Sequence, residues 1–483
     1  MKSKKEAELS GKILSGLKWT ATIRILGQLI NWGMSIIVIR YIKPEEYGLK
    51  AMAEISVALL MLLSSGGMES ALVHVKEISG EKISKTFGLL ISINLLLFIL
   101  QIFAAYPIAE YYNEPRIVPI AHVMAFGFLL VPFTAIPTAL LSRDMDYRLL
   151  STISLMTNVI GAVSTLTMAL YGYGVWSLVA GPLISSLLFA ILINSYKPWL
   201  RLPIISVTGV HDMVMFGGTV ALTSILWMVY SRSDIAIAGR MMDAHQVGIY
   251  AVALHLASLP VDKIIPVLNQ VAFPAYARYR DQPESIVKYF LKAVRLTSFL
   301  LFPVSFGLAG VSQLLIPALL GKEWSAVPPI LLVLSLVFSL RGIGFLCAPL
   351  TNAMGKPKIQ LKLVILSILL MVPGFIVGAK FGGIGLAIAW FTVYPILWLS
   401  NLWSSARAIH LSFLKIIKTI ALPLVMASIM LFDLLCFTSL NIIIVNTSMT
   451  IGVMVIAGAT IYLMGIYVGS KKLIYELYSF VRK

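Results

Sequence analysis

Apolar runs of about 20 residues recur from one end of this chain to the other, and that is the length a helix needs to cross roughly 30 Å of hydrocarbon. No single soluble core could enclose so much apolar sequence: 59% of the 483 residues are hydrophobic and 12% charged. A membrane β-barrel would instead show short alternating segments. The expected class is therefore an all-α polytopic membrane protein with about fourteen spans. Their approximate centres are Ile30, Leu60, Phe98, Leu129, Ile160, Ser185, Ile225, Ala257, Phe306, Leu334, Leu369, Phe391, Met426 and Val455.

Lys and Arg gather on alternate sides of these spans, at the basic N-terminus, the even-numbered loops and the C-terminus. The positive-inside rule then places both termini in the cytosol. The +17 formal charge would suggest nucleic acid in a soluble protein, but here it is topogenic and faces anionic lipid. No nucleic-acid partner is expected. No phosphate-binding loop and no cluster with metal-ligand spacing occurs, and no nucleophile–base pair can be argued, so no enzyme, metal or bound cofactor is expected. Cys347 and Cys436 read as small buried hydrophobes.

One junction is written twice. RYIKPEEYGLKAMA (Arg40 to Ala53) returns as RMMDAHQVGIYAVA (Arg240 to Ala253). Further echoes keep the order: ALLSRDMDYR (139–148) with PLTNAMGKPK (349–358), and GVWSLVA (174–180) with GIGLAIA (383–389). Six spans separate the copies. An even number means that both copies enter the membrane from the same side, a parallel repeat about an axis along the membrane normal. The expected organisation is a cytosolic tail (1–12), an N-lobe of spans 1–6 (13–195), a cytosolic linker (196–212), a C-lobe of spans 7–12 (213–408), spans 13–14 (409–470) and a basic cytosolic tail (471–483).

Ionisable groups within a bilayer are costly and mark sites. Span 1 carries Arg24, Gln28 and Asn31 on one helix face, and span 2 carries Glu54 and Glu69. Span 7 carries Arg232 and Asp234, span 8 His255, Asp262, Lys263 and Gln270, and span 10 Arg341. Most lie on equivalent spans of the two copies, where a duplicated transporter would line its path. Cations suit phosphate; amide, hydroxyl and aromatic groups suit sugars.

The opening GLKWTATIRILGQL, the IRYIKPEEYGLKAMA junction and its echo GRMMDAHQVGIYAVA resemble the Wzx-type polysaccharide flippases of the multidrug/oligosaccharidyl-lipid/polysaccharide superfamily, and within them the exporters of colanic and teichuronic acid units. The resemblance covers essentially the whole chain. It implies a V-shaped, two-lobed bacterial cytoplasmic-membrane protein that moves an undecaprenyl-diphosphate-linked oligosaccharide outward for cell-wall or extracellular polysaccharide synthesis. Implied partners are that lipid-linked oligosaccharide, membrane lipids, a polysaccharide polymerase and glycosyltransferases. Arg24 and Lys263 match the position of cavity cations that hold the diphosphate. Glu54 and Glu69 depart, standing where some relatives carry arginine, so coupling to H+, Na+ or the membrane potential stays open. The alternative is a cation-coupled drug or small-solute antiporter of the same superfamily.

Overall fold

The computed structural model describes residues 27–28, 30–64, 72, 79–199, 202–205, 211–280, 282–440 and 446–469, and for 211–224 and 271 the backbone alone. Arg24 and Glu69 lie outside the described residues. The helices are α1 (30–41), α2 (Pro44–Ser64), α3 (Gly80–Tyr112), α4 (Ile117–Arg143), α5 (Tyr147–Leu170), α6 (Val175–Tyr196), α7 (His211–Met241) and α8 (Ala244–Arg278). They continue as α9 (Pro283–Leu320), α10 (Val327–Gly344), α11 (Cys347–Ala353), α12 (Lys358–Ala379), α13 (Gly382–Ala408), α14 (Phe413–Ser439) and α15 (Thr447–Gly469). Among the described residues, twelve helical stretches are long and apolar enough to cross a membrane, with α10 and α11 counted as one. Helices α1 and α7 stand at the positions expected for spans 1 and 7. The protein is a multi-pass membrane protein.

The chain divides into two compact units, Met1–Arg232 and Ser233–Lys483. Their backbones repeat one another locally. Residues 41–50 and 241–250 follow the same course: a helix end, a two-residue turn and a new helix. The α3–α4 turn passes through Asn113 at φ 53°, and the α9–α10 turn through Gly321 at φ 99°. Met145 and Gly355, paired by the sequence echo, both have positive φ, 56° and 69°. A non-glycine residue there is strained, so two matching positive angles support the duplication independently of composition.

Unit 1 is tied at one end by Arg116, which bridges Glu45 at the start of α2 and Glu114, both at 2.7 Å. Hydrogen bonding from Arg116 holds the Glu114 carboxyl below its ordinary value of 4.5, against the opposing effect of partial burial. At the other end Lys197 pairs with Asp144. The chain after α6 lies across α3, where Ile204 N–H donates to the Ser84 carbonyl at 3.0 Å. Trp199 packs edge-on against Phe87, with ring centroids 4.9 Å apart. Helices α5 and α6 touch through glycines: a Cβ on Gly161 would stand 2.9 Å from the Gly181 carbonyl oxygen.

Unit 2 joins its equivalent pair, α12 and α13, the same way. A Cβ on Gly385 would lie 2.1 Å from the Gly378 carbonyl oxygen. Small residues that let helix backbones approach are the usual device where lipid offers no hydrophobic drive for association. Helix α14 packs onto α9, where Gly310 faces Leu434, and α15 packs onto α14, where Gly458 faces Met430; α15 also reaches α9, its Tyr462 hydroxyl donating to the Phe299 carbonyl at 3.0 Å. Large apolar side chains such as Leu96, Phe103 and Phe432 stand outward and exposed, as suits helices solvated by lipid. Cys347 is buried as expected, but Cys436 is exposed; on the outward face of α14 a small apolar side chain meets hydrocarbon as readily as it would meet protein.

Candidate functional site

Helix α7 ends seven residues after Asp234, and α8 turns back immediately to reach Tyr250 six residues after its start. At 1.5 Å per residue the two side chains are level. Trp390 stands eight residues into α13. The three meet inside unit 2, with Asp234, Tyr250 and Trp390 all fully buried. One Asp234 carboxylate oxygen accepts from the Tyr250 hydroxyl at 2.8 Å and from the Trp390 indole N–H at 3.2 Å. The other accepts from the backbone N–H of Ile235 at 2.7 Å. The indole N–H also lies 3.1 Å from the Tyr250 oxygen, so it is shared between two acceptors.

Arg341 of α10 completes the node. Its guanidinium carbon lies 5.0 Å over the Trp390 ring, 4.9 Å over Phe338 and 5.4 Å over Phe345. Its charge also acts on Asp234 electrostatically. A carboxylate taken out of water is tolerated only with such compensation. The aromatic faces accommodate the cation through their quadrupoles. The arrangement can hold a buried charge or proton, and it locks α7, α8, α10 and α13 together.

Just beyond Arg341 the helix breaks. Helix α10 stops at Gly344 and α11 starts at Cys347. Neighbours take up the carbonyls at the break: the Asn401 amide donates to Gly344 at 3.3 Å, and the Asn269 amide to Phe345 at 3.4 Å. Gln360 donates to Thr351 at 3.1 Å and to Asn401 at 3.4 Å. Irregular backbone at membrane depth persists only where protein or water satisfies it. Tyr276 and Trp398 each keep a buried polar atom with no hydrogen-bond partner among the described residues. A polar spine therefore runs through unit 2 from Asp234 to the α11–α12 turn.

The other expected residues fall in three places. His255, Asp262 and Gln270 lie exposed along α8, with Lys263 half-buried beside them; Asp262 accepts from the Ser258 hydroxyl at 2.8 Å. Gln28 and Asn31 are half-buried at and just before the start of α1, and Arg232 is half-buried on α7. Glu54 is half-buried and pairs with Lys50 one turn earlier in its own helix. The structure thus brings together Asp234 and Arg341 and leaves the α8 residues on a separate surface. Sequence reasoning missed Tyr250, Trp390, Asn401 and Gln360. One signal was present: Trp390, Tyr394, Asn401 and Ser405 recur at helical spacing along one face of α13.

Four similarities bear on this chain. It is 24% identical over 393 residues to the lipopolysaccharide biosynthesis protein WzxC of Escherichia coli (strain K12), covering 80% of this chain and 79% of that protein. It is 25% identical over 338 residues to the teichuronic acid biosynthesis protein TuaB of Bacillus subtilis (strain 168), covering 69% of each. Its fold matches that of the lipid II flippase MurJ in an inward closed conformation, with a TM-score of 0.77 at 16% identity over 94% of this chain and 99% of that one. A sequence profile of polysaccharide biosynthesis proteins matches residues 37–329. That match takes in more than half of the sequence, and the chain belongs to the polysaccharide biosynthesis protein family.

Proposed function

We propose that this protein moves an undecaprenyl-diphosphate-linked oligosaccharide from the inner to the outer leaflet of the bacterial cytoplasmic membrane by alternating access, supplying cell-wall or extracellular polysaccharide synthesis of a teichuronic acid-like kind. The observation that carries this reading is the exposed polar face of α8, with His255, Asp262 and Gln270. Charged groups facing lipid would be costly, so this face suits a watered path. The family match and the relatives that serve lipopolysaccharide and teichuronic acid synthesis support an oligosaccharide cargo. In this reading Arg24 and Lys263 hold the diphosphate, both termini are cytosolic, and the protein performs transport without chemistry on the sugar. A polymerase and glycosyltransferases act before and after it.

The energetics suit such a cargo. A diphosphate with about two negative charges gains about 2.3 kcal/mol per charge per 100 mV when it leaves a negative cytosol. The membrane potential therefore assists outward movement, with or without a coupled proton or sodium ion at Asp234. Deletion of the gene, followed by analysis of wall and secreted polymers and of lipid-linked precursors, tests the reading. One glycolipid should accumulate on the cytosolic leaflet, and Arg24→Ala or Lys263→Ala should lower polymer export while the protein still reaches the membrane. Unchanged polymer with altered drug susceptibility would replace this reading with a drug antiporter.

A further inference from the structure

We infer that Tyr279 and Arg280, just after α8, and the α11–α12 loop of unit 2 form a cradle for a lipid-borne phosphate at the membrane surface. The two segments meet where the Arg280 guanidinium lies against Gly355: a Cβ at Gly355 would stand 3.0 Å from Arg280 Nη2. Gly355 also has φ +69°, so glycine serves the turn and leaves room for the arginine. Lys356 anchors the same turn, its ammonium donating to the Ala408 carbonyl at 3.1 Å. Lys358 follows, exposed.

Aromatic packing holds the chain at the end of α8. Tyr279 stacks on Tyr289 with ring centroids 5.0 Å apart and planes 19° from parallel, and Arg278 lies 6.0 Å over the Tyr279 ring. Tyrosines of this kind sit at membrane–water interfaces. Arg278, Arg280 and Lys358 are exposed and form no ion pair with any described carboxylate; each ion pair described above in a turn or at a helix end belongs to unit 1. A guanidinium fork is a donor set that phosphate oxygens take, and an exposed lysine on the adjoining turn adds charge. The charge distribution assigns this end to the cytosol, where two lipids carry phosphate: an anionic headgroup lipid, and the polyprenyl diphosphate of the proposed cargo. The diphosphate alternative rests on the transport reading, while the headgroup alternative does not.

The full-length protein in neutral detergent, titrated with phosphatidylglycerol, undecaprenyl diphosphate and phosphatidylcholine and read by native mass spectrometry, tests the cradle. Arg280→Gln with Lys358→Gln should weaken binding of phosphate-bearing lipid about tenfold or more, since each surface cation contributes on the order of 1 kcal/mol. Lys415→Gln with Lys418→Gln removes the same charge from α14 and should leave that binding unchanged. Gly355→Ala keeps every charge, displaces Arg280 and should weaken binding, whereas Arg280→Lys should retain most of it. Weakening of both lipids assigns the cradle to headgroups generally; weakening of undecaprenyl diphosphate alone assigns it to the cargo. Equal loss in the two double variants, or no loss in the first, overturns the proposal. Should the first double variant fail to fold, Lys358→Gln alone and Gly355→Ala decide. Failure of the cradle leaves precursor accumulation on deletion unaffected, and failure of the transport reading leaves the phosphatidylglycerol result unaffected.

Discussion

The two units share their turns and their glycine-packed helix pair but not their polar interior. The register of the repeated junction sets Met34 and Lys50 opposite Asp234 and Tyr250, and the α6–α13 echo sets Gly181 opposite Trp390. Unit 1 thus has a thioether, a lysine paired within its own helix and a packing glycine where unit 2 builds a buried carboxylate with two side-chain donors. At the other end the contrast reverses. Unit 1 neutralises Asp144 with Lys197, and unit 2 leaves Arg278, Arg280 and Lys358 exposed. A duplicated scaffold was kept by backbone devices, and each copy then acquired its own electrostatics.

The largest expected effect comes from erasing the difference in the interior. Asp234→Ala leaves the Tyr250 hydroxyl and the Trp390 N–H buried without their shared acceptor, and should cost about 3 kcal/mol of stability. Met34→Ala, at the matching position, should cost clearly less. Thermal unfolding in detergent compares them, and equal losses would mean that the node adds nothing to the scaffold.

Next is the helix pair the units have in common. Gly385→Ala would drive a methyl group into the Gly378 carbonyl, which cannot move aside, whereas at Gly181 the nearest obstacle is the Thr165 hydroxyl, which can rotate. About 1–3 kcal/mol is expected at Gly385, with less at Gly181. A larger loss at Gly181 would show that the unit 1 seam is the tighter one.

Asn401→Leu removes the amide that serves the Gly344 carbonyl and should cost about 1 kcal/mol. It should also quicken backbone hydrogen exchange near residues 344–347, the break that unit 1 does not show at α4. The smallest effect belongs to the Glu45–Arg116–Glu114 tie of unit 1. Arg116 lowers the Glu114 value in the folded protein, so the tie contributes fully above the ordinary carboxyl value of 4.5 and is lost as pH falls below it. Melting measured from neutral pH to about pH 3 should fall less steeply for Glu114→Gln than for the native chain.

Much of the architecture could be read in advance because its causes are local. A run of about 20 apolar residues is a span whatever surrounds it, and the repeated junction reports duplication without any contact being known. Asp234 and Arg341 were legible for the same reason, as charges where lipid forbids them. Their partners were not. Tyr250 and Trp390 are amphipathic, and in an apolar helix they read as packing until folding sets them beside a carboxylate 16 and 156 residues away. The Lys50–Glu54 pair could have been read from its four-residue spacing, yet the expectation that membrane carboxylates serve a cavity overrode it. The break in span 10 did carry local signals, Gly342, Gly344 and Pro349, whose missing N–H frees the Phe345 carbonyl; what the sequence hides is that the side chains of Asn269 and Asn401, from two other helices, take up the freed carbonyls.

The seam at Gly378 and Gly385 bears on what can move. Where a carbonyl oxygen rests directly against a facing α-carbon, neither helix can rotate without bringing a side chain into the gap, and sliding meets the same obstruction. Helices α12 and α13 should therefore travel as one stiff plank during any working cycle. Bending in this half would then concentrate where the backbone is already interrupted, between α10 and α11, with the asparagine amides as its release catches.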